Sequence, residues 1–457
     1  MERGLHDAGD RRAAAISAAS GDIPPRRPLC GSEPMRQDCS MEEFEEFTQA
    51  DKLRGVRYDV RGPIATEAAR LEAAGHRITK LNIGNLAPFG FEAPDSILVD
   101  MIKNLPTAQG YSDSQGIYSA RTAVAQYYQT RGMKEADVDD VILGNGVSEL
   151  ITMVLQTMLN PGDEVLIPAP DYPLWTAVTT LCGGRPVHYI CDEQNKWYPD
   201  AEEIESKVTD RTKALVIINP NNPTGAVYPQ EVLEDLVDVA RRHNLMLLSD
   251  EIYEKITYDD AETVNVCTLA DDVFTITFSG LSKTWRVAGF RSGWIYISGA
   301  KHLAKNYLEG LNLMSNLRMC PNVPAQHAIQ TALGGYQSID EFIQPGGRLY
   351  EQRNVAHKLL SEIEGVDVHQ ADGALYLFPR LDPEIYPIES DEAFVIELLR
   401  QQKILVSHGR AFNWIDDNHF RLVTLPAVEE LEEAIAGIAD FLAGYRDAVS
   451  PGAVGVD

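Results

Sequence analysis

Val273–Trp294 reads VFTITFSGLSKTWRVAGFRSGW. Its first six residues are Val, Ile, Phe and Thr, the composition of a buried strand. The run breaks at Ser279-Gly280, and Lys283 follows at once, with Arg291 eight residues on. A lysine at the mouth of a strand is placed to form a Schiff base, and a nearby arginine is placed to hold a phosphate. An S-K-T tripeptide alone matches by chance often. The weight therefore falls on what else in the chain converges on Lys283.

Two earlier apolar runs end in the same way. ALVII leads into Asn219-Pro220-Asn221-Asn222-Pro223-Thr224-Gly225, and LMLLS leads into Asp250-Glu251-Ile252-Tyr253. In open α/β sheets the ligand lies off the carboxyl ends of the strands. Three strand ends in sequence order thus deliver polar groups suited to one cofactor, pyridoxal 5'-phosphate. That chemistry needs an amine (Lys283) and an acid opposite the pyridine nitrogen (Asp250). It needs donors to the ring hydroxyl (Asn222, Tyr253) and a flat group on the ring face (Tyr172, in APDYP). It also needs a phosphate cup. Gly146-Val147-Ser148 opens a helix after the strand DVILGNG, so backbone N–H groups and the helix dipole point at an anion, with Ser282 and Arg291 completing the cup.

Each motif also has an ordinary structural reading. Asp250-Glu251 reads as a solvated strand end, NPNNPTG as a turn, Tyr172 as packing and GNGVS as a helix cap. Their common order and their positions at strand ends select the functional reading.

The rest of the chain fits a globular enzyme of two domains. It has 457 residues, 44% of them hydrophobic, and a net charge of −28. That charge argues against nucleic acid as a partner, and no apolar run reaches the length of a membrane span. Six cysteines without a C-x-x-C pair suggest a reduced, cytoplasmic protein, and the nine-residue spacings of Cys30/Cys39 and Cys182/Cys191 fit no metal site. Residues 1–50 lack an apolar period and read as a disordered tail, as do 448–457. AAAISAA near the start is too short and too weakly apolar for a secretion signal. Met35 or Met41 would serve as a better start. Residues 86–343 alternate strands and helices, the pattern of a mainly parallel mixed sheet between helices. Residues 344–447 read as a smaller α+β domain, to which 51–85 belong as a segment at the site entrance.

The motifs NNPTG (221–225), SDEIY (249–253), SGLSK (279–283), Arg291 and FRLVTL (420–425) resemble the fold-type I aminotransferases of the aspartate aminotransferase superfamily, over about residues 52–445. The resemblance implies an α/β pyridoxal-phosphate transferase fold. It makes Lys283 the Schiff-base lysine, Asp250 the pyridinium partner, and Asn222 and Tyr253 the ring-hydroxyl donors. Arg421 becomes the clamp on the substrate α-carboxylate, Tyr172 a stacking aromatic, and Gly84 part of the loop near that carboxylate. Tyr111 corresponds to a tyrosine that reaches the neighbouring subunit's cofactor phosphate, which implies a homodimer with shared sites. One departure is Gly280, where a phosphate-binding serine is often found. YDVRGP, LNIGNLAPFGF, PAPDYPLW and PAQHAIQTALGGYQS further resemble bacterial alanine transaminases. The implied reaction is L-alanine plus 2-oxoglutarate to pyruvate plus L-glutamate. Other amino donors or a carbon–sulfur β-lyase of the same fold are the alternatives. The distal carboxylate of glutamate then needs a second cation. Arg61 is the first candidate, with Tyr58 beside it, because a positive charge just before a helix start opposes the dipole unless an anion meets it. Arg318 and Arg410 are reserves. No metal site is expected.

Overall fold

The computed structural model describes residues 47–53, 56 and 62–449. The described residues from 50 to 449 belong to one compact unit. Its centre is an eight-stranded sheet. Across the sheet the strands run Val141–Gly144, Gly293–Ser298, Thr275–Gly280, Met246–Asp250, Thr212–Ile218, Glu164–Ala169, Arg185–Asp192 and Tyr198–Pro199. The five strands from Thr275–Gly280 to Arg185–Asp192 are mutually parallel. Gly293–Ser298 is antiparallel to both of its neighbours. This is the mixed, mainly parallel sheet expected from the sequence.

Its strands read as unbroken apolar runs because helices cover both faces. Leu166, Leu215, Ile217 and Leu247 pack into one core layer, and Val165, Ile167, Val216 and Leu248 into the other. The alternation follows the two-residue period of a strand. Helix Gln230–His243 shows how a cover is built. Leu233, Leu236, Val237 and Ala240 recur at helical spacing and are buried. Basic residues fill its last turn, and it closes at Asn244 in the left-handed conformation.

Among the elements the sequence reading did not anticipate are the strand Gly293–Ser298 and the helices Leu174–Leu181, Ala201–Ser206, Lys305–Arg318 and Val323–Gly334. KILVSHG, residues 403–409, holds two short strands, Ile404–Leu405 and Ser407–His408, divided at Val406.

A second set of strands lies toward the carboxyl end. Tyr376–Leu377, Phe420–Val423 and Ser407–His408 form a three-stranded antiparallel sheet, with Phe420–Val423 central. Thr79–Lys80 pairs in parallel with Ile404–Leu405. The helix Pro63–Ala73, with Pro63 in its first turn, shares a core with this carboxyl-terminal part through Ile64, Ala68 and Leu71. These pairings bring Asn82 beside Ser407 and Arg421, more than three hundred positions away, and Gly84 beside Tyr376.

Candidate active site

Register decides which side chains meet. Ile218 stands opposite Asp250, and Asp250 opposite Phe278. The three motifs therefore leave the sheet at the same level. A cavity of about 540 Å³ opens there, lined among others by Tyr172, Asn222, Asp250, Tyr253, Lys283 and Arg421.

Strand alternation separates the two acids of the DE pair. Asp250 faces the cavity and is only 4% exposed. Burial pushes its pKa up to about 6, against the opposing effect of hydrogen bonds from Trp175 Nε1 at 3.2 Å and Ile252 N at 3.3 Å. Glu251 points the other way. It accepts hydrogen bonds from Ser249 Oγ at 2.8 Å, Asn265 Nδ2 at 2.5 Å and Val266 N at 3.0 Å. Burial, reinforced by the nearby Glu254, lifts it to about 7. The ordinary reading of this pair as a solvated strand end is therefore corrected: both acids are buried.

Lys283 Nζ donates to Gly84 O at 2.6 Å. Arg421 is 7% exposed, and its guanidinium lies between the rings of Tyr376 and Phe412, 4.4 Å from each centroid. It donates to Asn222 Oδ1 at 2.9 Å and to Asn82 O. With its oxygen so used, the Asn222 amide has its Nδ2 donor left to offer. Tyr253 Oη lies 2.6 Å from Tyr376 Oη.

The anion cradle is built from a helix end. Helix Val147–Met158 starts at Gly146, whose φ of +81° suits glycine, and no side chain caps it. A Cβ on Gly146 would come within 2.4 Å of Arg291 Nη2. Arg291 Nη2 donates to Ser148 Oγ at 3.1 Å and to Asn145 O at 3.2 Å. Val147, Ser148, Ser282 and Arg291 all line the cavity. Gly280 pairs with Gly293 across the sheet, and a Cβ at 280 would meet Ser292 O at 2.8 Å. The backbone thus leaves no room there for a side chain such as serine.

Tyr111 does not line the cavity and is 81% exposed. Tyr58 and Arg61 lie outside the described residues. Arg318 is held by Glu149 at 2.5 Å and Ser114 O at 2.8 Å, and Arg410 by Ile415 O at 2.6 Å; neither lines the cavity. Sequence reasoning missed Asn82, Trp175, Tyr376 and Phe412. Tyr376 and Phe412 stand in aromatic-rich stretches, GALYLF and GRAFNW; the first contains the strand Tyr376–Leu377 and the second follows Ser407–His408, both of the sheet that carries Arg421.

The residues present fit pyridoxal 5'-phosphate. They offer an amine, a buried acid and phenolic and amide donors around one cavity, with an uncapped helix end backed by an arginine at its rim. Fold and donor set together define a pyridoxal-phosphate-dependent enzyme of fold type I. Comparison with known proteins narrows this. Residues 77–438 match the family described as aminotransferase class I and II. The chain is 59% identical to a glutamate–pyruvate aminotransferase of Haemophilus influenzae, over 88% of this chain and 99% of that one. It is 60% identical to an alanine aminotransferase of Mycobacterium tuberculosis, over 88% of this chain and 94% of that one. A crystal structure of an aminotransferase from Escherichia coli superposes with a TM-score of 0.87 at 57% identity, covering 88% of this chain and 100% of that one. The chain belongs to the class I and II aminotransferase family.

Proposed function

We propose that the protein transfers the amino group of L-alanine to 2-oxoglutarate, giving pyruvate and L-glutamate in two half-reactions. Identity of 59–60% to enzymes named for this activity, over nearly their whole length, carries the reading. Lys283 would hold the cofactor carbonyl, Gly146, Val147, Ser148, Ser282 and Arg291 its phosphate, Tyr172 its ring face, and Asn222 and Tyr253 its ring hydroxyl. When bound, pyridoxal phosphate supplies a conjugated ring that takes up the electrons of the Cα–H bond.

The chain's own residues do the rest. Arg421 binds the α-carboxylate through paired N–H groups, its plane fixed by the two flanking rings, and so orients the Cα–H bond. Gly84 lies near that carboxylate. Displaced from the cofactor carbonyl by the substrate amine, Lys283 Nζ would be free to take the Cα proton and later return it. Asp250, buried and ready to ionise beside a cation, keeps the ring nitrogen protonated. The distal carboxylate of glutamate meets Arg61, with Tyr58 beside it. Lys80, the other lysine on the cavity wall, already pairs with Glu72 at 2.8 Å.

The working unit in this proposal is a homodimer in the cytoplasm. Leu313, Leu317 and Met319 expose an apolar strip on and beside helix Lys305–Arg318. The Tyr111 loop is tied to that helix by Ser114–Asn316 at 2.7 Å and Gln115–Asn312 at 2.6 Å. A second copy would cover the strip and bring Tyr111 to the partner's cofactor phosphate. Cys182, Cys191, Cys267 and Cys320 are all unpaired, which suits a reducing compartment. Among the described residues no helix is long and apolar enough to cross a membrane, and the chain's acidity supports no nucleic-acid partner. In domain terms, residues 86–343 form the cofactor-binding part and 344–447, with 51–85, the smaller one. The test is a screen of amino donors against several 2-oxo acids on purified protein, read by product identification. Alanine with 2-oxoglutarate should lead; products of β-elimination would overturn the reading.

A further inference from the structure

Tyr376 touches three separate parts of the site. Its hydroxyl is 2.6 Å from Tyr253 Oη, on the loop after Asp250. The same hydroxyl lies so close to Gly84 that a Cβ there would stand 2.2 Å from it. Its ring faces Arg421 at 4.4 Å. The register explains the last contact. Tyr376 pairs with Val423, two residues beyond Arg421 on the central strand, so Tyr376 and Arg421 are diagonal neighbours on one face.

A phenol carries one proton. If Tyr253 spends it on Tyr376, nothing remains for an acceptor in the cavity. If Tyr376 donates instead, the Tyr253 proton is committed to the cavity, and the bond Tyr253 receives makes it a stronger donor. The surroundings favour the second arrangement. The charged and titratable groups that bear on the pair are Lys283, Arg421 and Tyr172. Burial raises the Tyr376 phenol, the positive charges of Lys283 and Arg421 lower it, and the net direction is down. Burial pushes Tyr253 well up. With the Tyr253 proton assigned to the ring oxygen, Tyr376, whose ring faces the Arg421 guanidinium, is the donor left for the 2.6 Å contact. We propose that Tyr376 is a positioning residue of this site, whose hydroxyl donates to Tyr253 Oη and so directs the single Tyr253 proton onto the ring oxygen of the bound cofactor. This rests on Lys283 and Tyr253 holding the cofactor as proposed above.

The experiment reads the holoenzyme's visible absorbance against pH, without turnover. A donor on the ring oxygen favours the less protonated form of the bound cofactor and lowers the midpoint of that titration. Tyr376→Phe keeps the ring beside Arg421 and removes the donor. The midpoint should rise by about half a pH unit, the scale of a partly lost hydrogen bond. In a Tyr253→Phe background the same change should add nothing. Replacement of Tyr376 by 3-fluorotyrosine, a more acidic phenol of nearly the same size, should lower the midpoint, and it decides the matter should Tyr376→Phe not retain cofactor. An unmoved midpoint in a folded variant, or an equal shift without the Tyr253 hydroxyl, overturns the proposal. Absence of visible cofactor absorbance in the unmutated protein would instead overturn the underlying assignment.

Discussion

Asp250 and Glu251 are adjacent, both acidic, both buried and both raised in pKa, yet they should fail differently when neutralised. Asp250→Asn leaves the Trp175 contact available but removes the negative charge facing the cavity. With cofactor bound, that charge pairs with the protonated ring nitrogen in a site screened from water. Removing one partner of a buried pair costs about 3–5 kcal/mol. Asparagine still offers an oxygen acceptor, so the lower figure applies. At about 1.4 kcal/mol per factor of ten, about 3 kcal/mol is a loss of at least a hundredfold in kcat/KM.

Glu251→Gln perturbs a structural network instead. Glutamine can keep the acceptor that serves Ser249 and Val266, but its amide then faces the Asn265 amide, donor against donor. Asn265 cannot turn over freely, because its Nδ2 also donates to Glu254 Oε2 at 2.9 Å. The loss is about one charge-assisted hydrogen bond, about 1–3 kcal/mol of stability, with kcat/KM within about threefold of wild type, as for a change outside the cavity. Pyruvate formation from alanine and 2-oxoglutarate measures the first quantity and the melting temperature the second. Equal losses of activity in the two variants, or an Asp250→Asn enzyme of full activity, would refute the reasoning.

Arg61→Leu, assayed in each half-reaction, should weaken 2-oxoglutarate and glutamate by about 2 kcal/mol, the scale of a hydrogen bond to a charged group, and alanine less; equal indifference of both would move the distal carboxylate elsewhere. Asp171→Asn gives a pH-dependent result. Asp171 is fully buried, and burial lifts it from 3.8 to about 7 despite hydrogen bonds from Asn413 and Thr176. The folded chain thus holds a proton that the unfolded chain has released. The stability this contributes is full below about pH 4 and is lost as pH rises through about 7. Asparagine can satisfy the same partners without titrating. The melting temperature of the cofactor-free variant, relative to wild type, should therefore rise from pH 5 to 8; a constant difference would refute it.

What the sequence disclosed about this site follows from how each residue is specified. Lys283, Asp250 and Asn222 sit where a doubly covered strand ends, and such strands appear as unbroken apolar runs that stop at polar motifs. The strand Gly293–Ser298 has the same apolar character and was missed. It runs antiparallel to its neighbours, so its carboxyl end faces away from the cavity and carries no motif to draw attention. Glu251 shows a different limit. Alternation along the strand tells that it opposes Asp250, but its burial depends on Asn265 and Val266, which reach it after a loop. Tyr376 lies further out of reach. Its strand is two residues long, too short for any period, and its partners come from positions 84, 253 and 421. Only the pairing of GALYLF with FRLVTL, an aromatic and an arginine two steps apart on facing strands, could have linked it to the carboxylate clamp. That pairing is a matter of register, and register is set by tertiary packing here, because no hairpin turn joins the two strands.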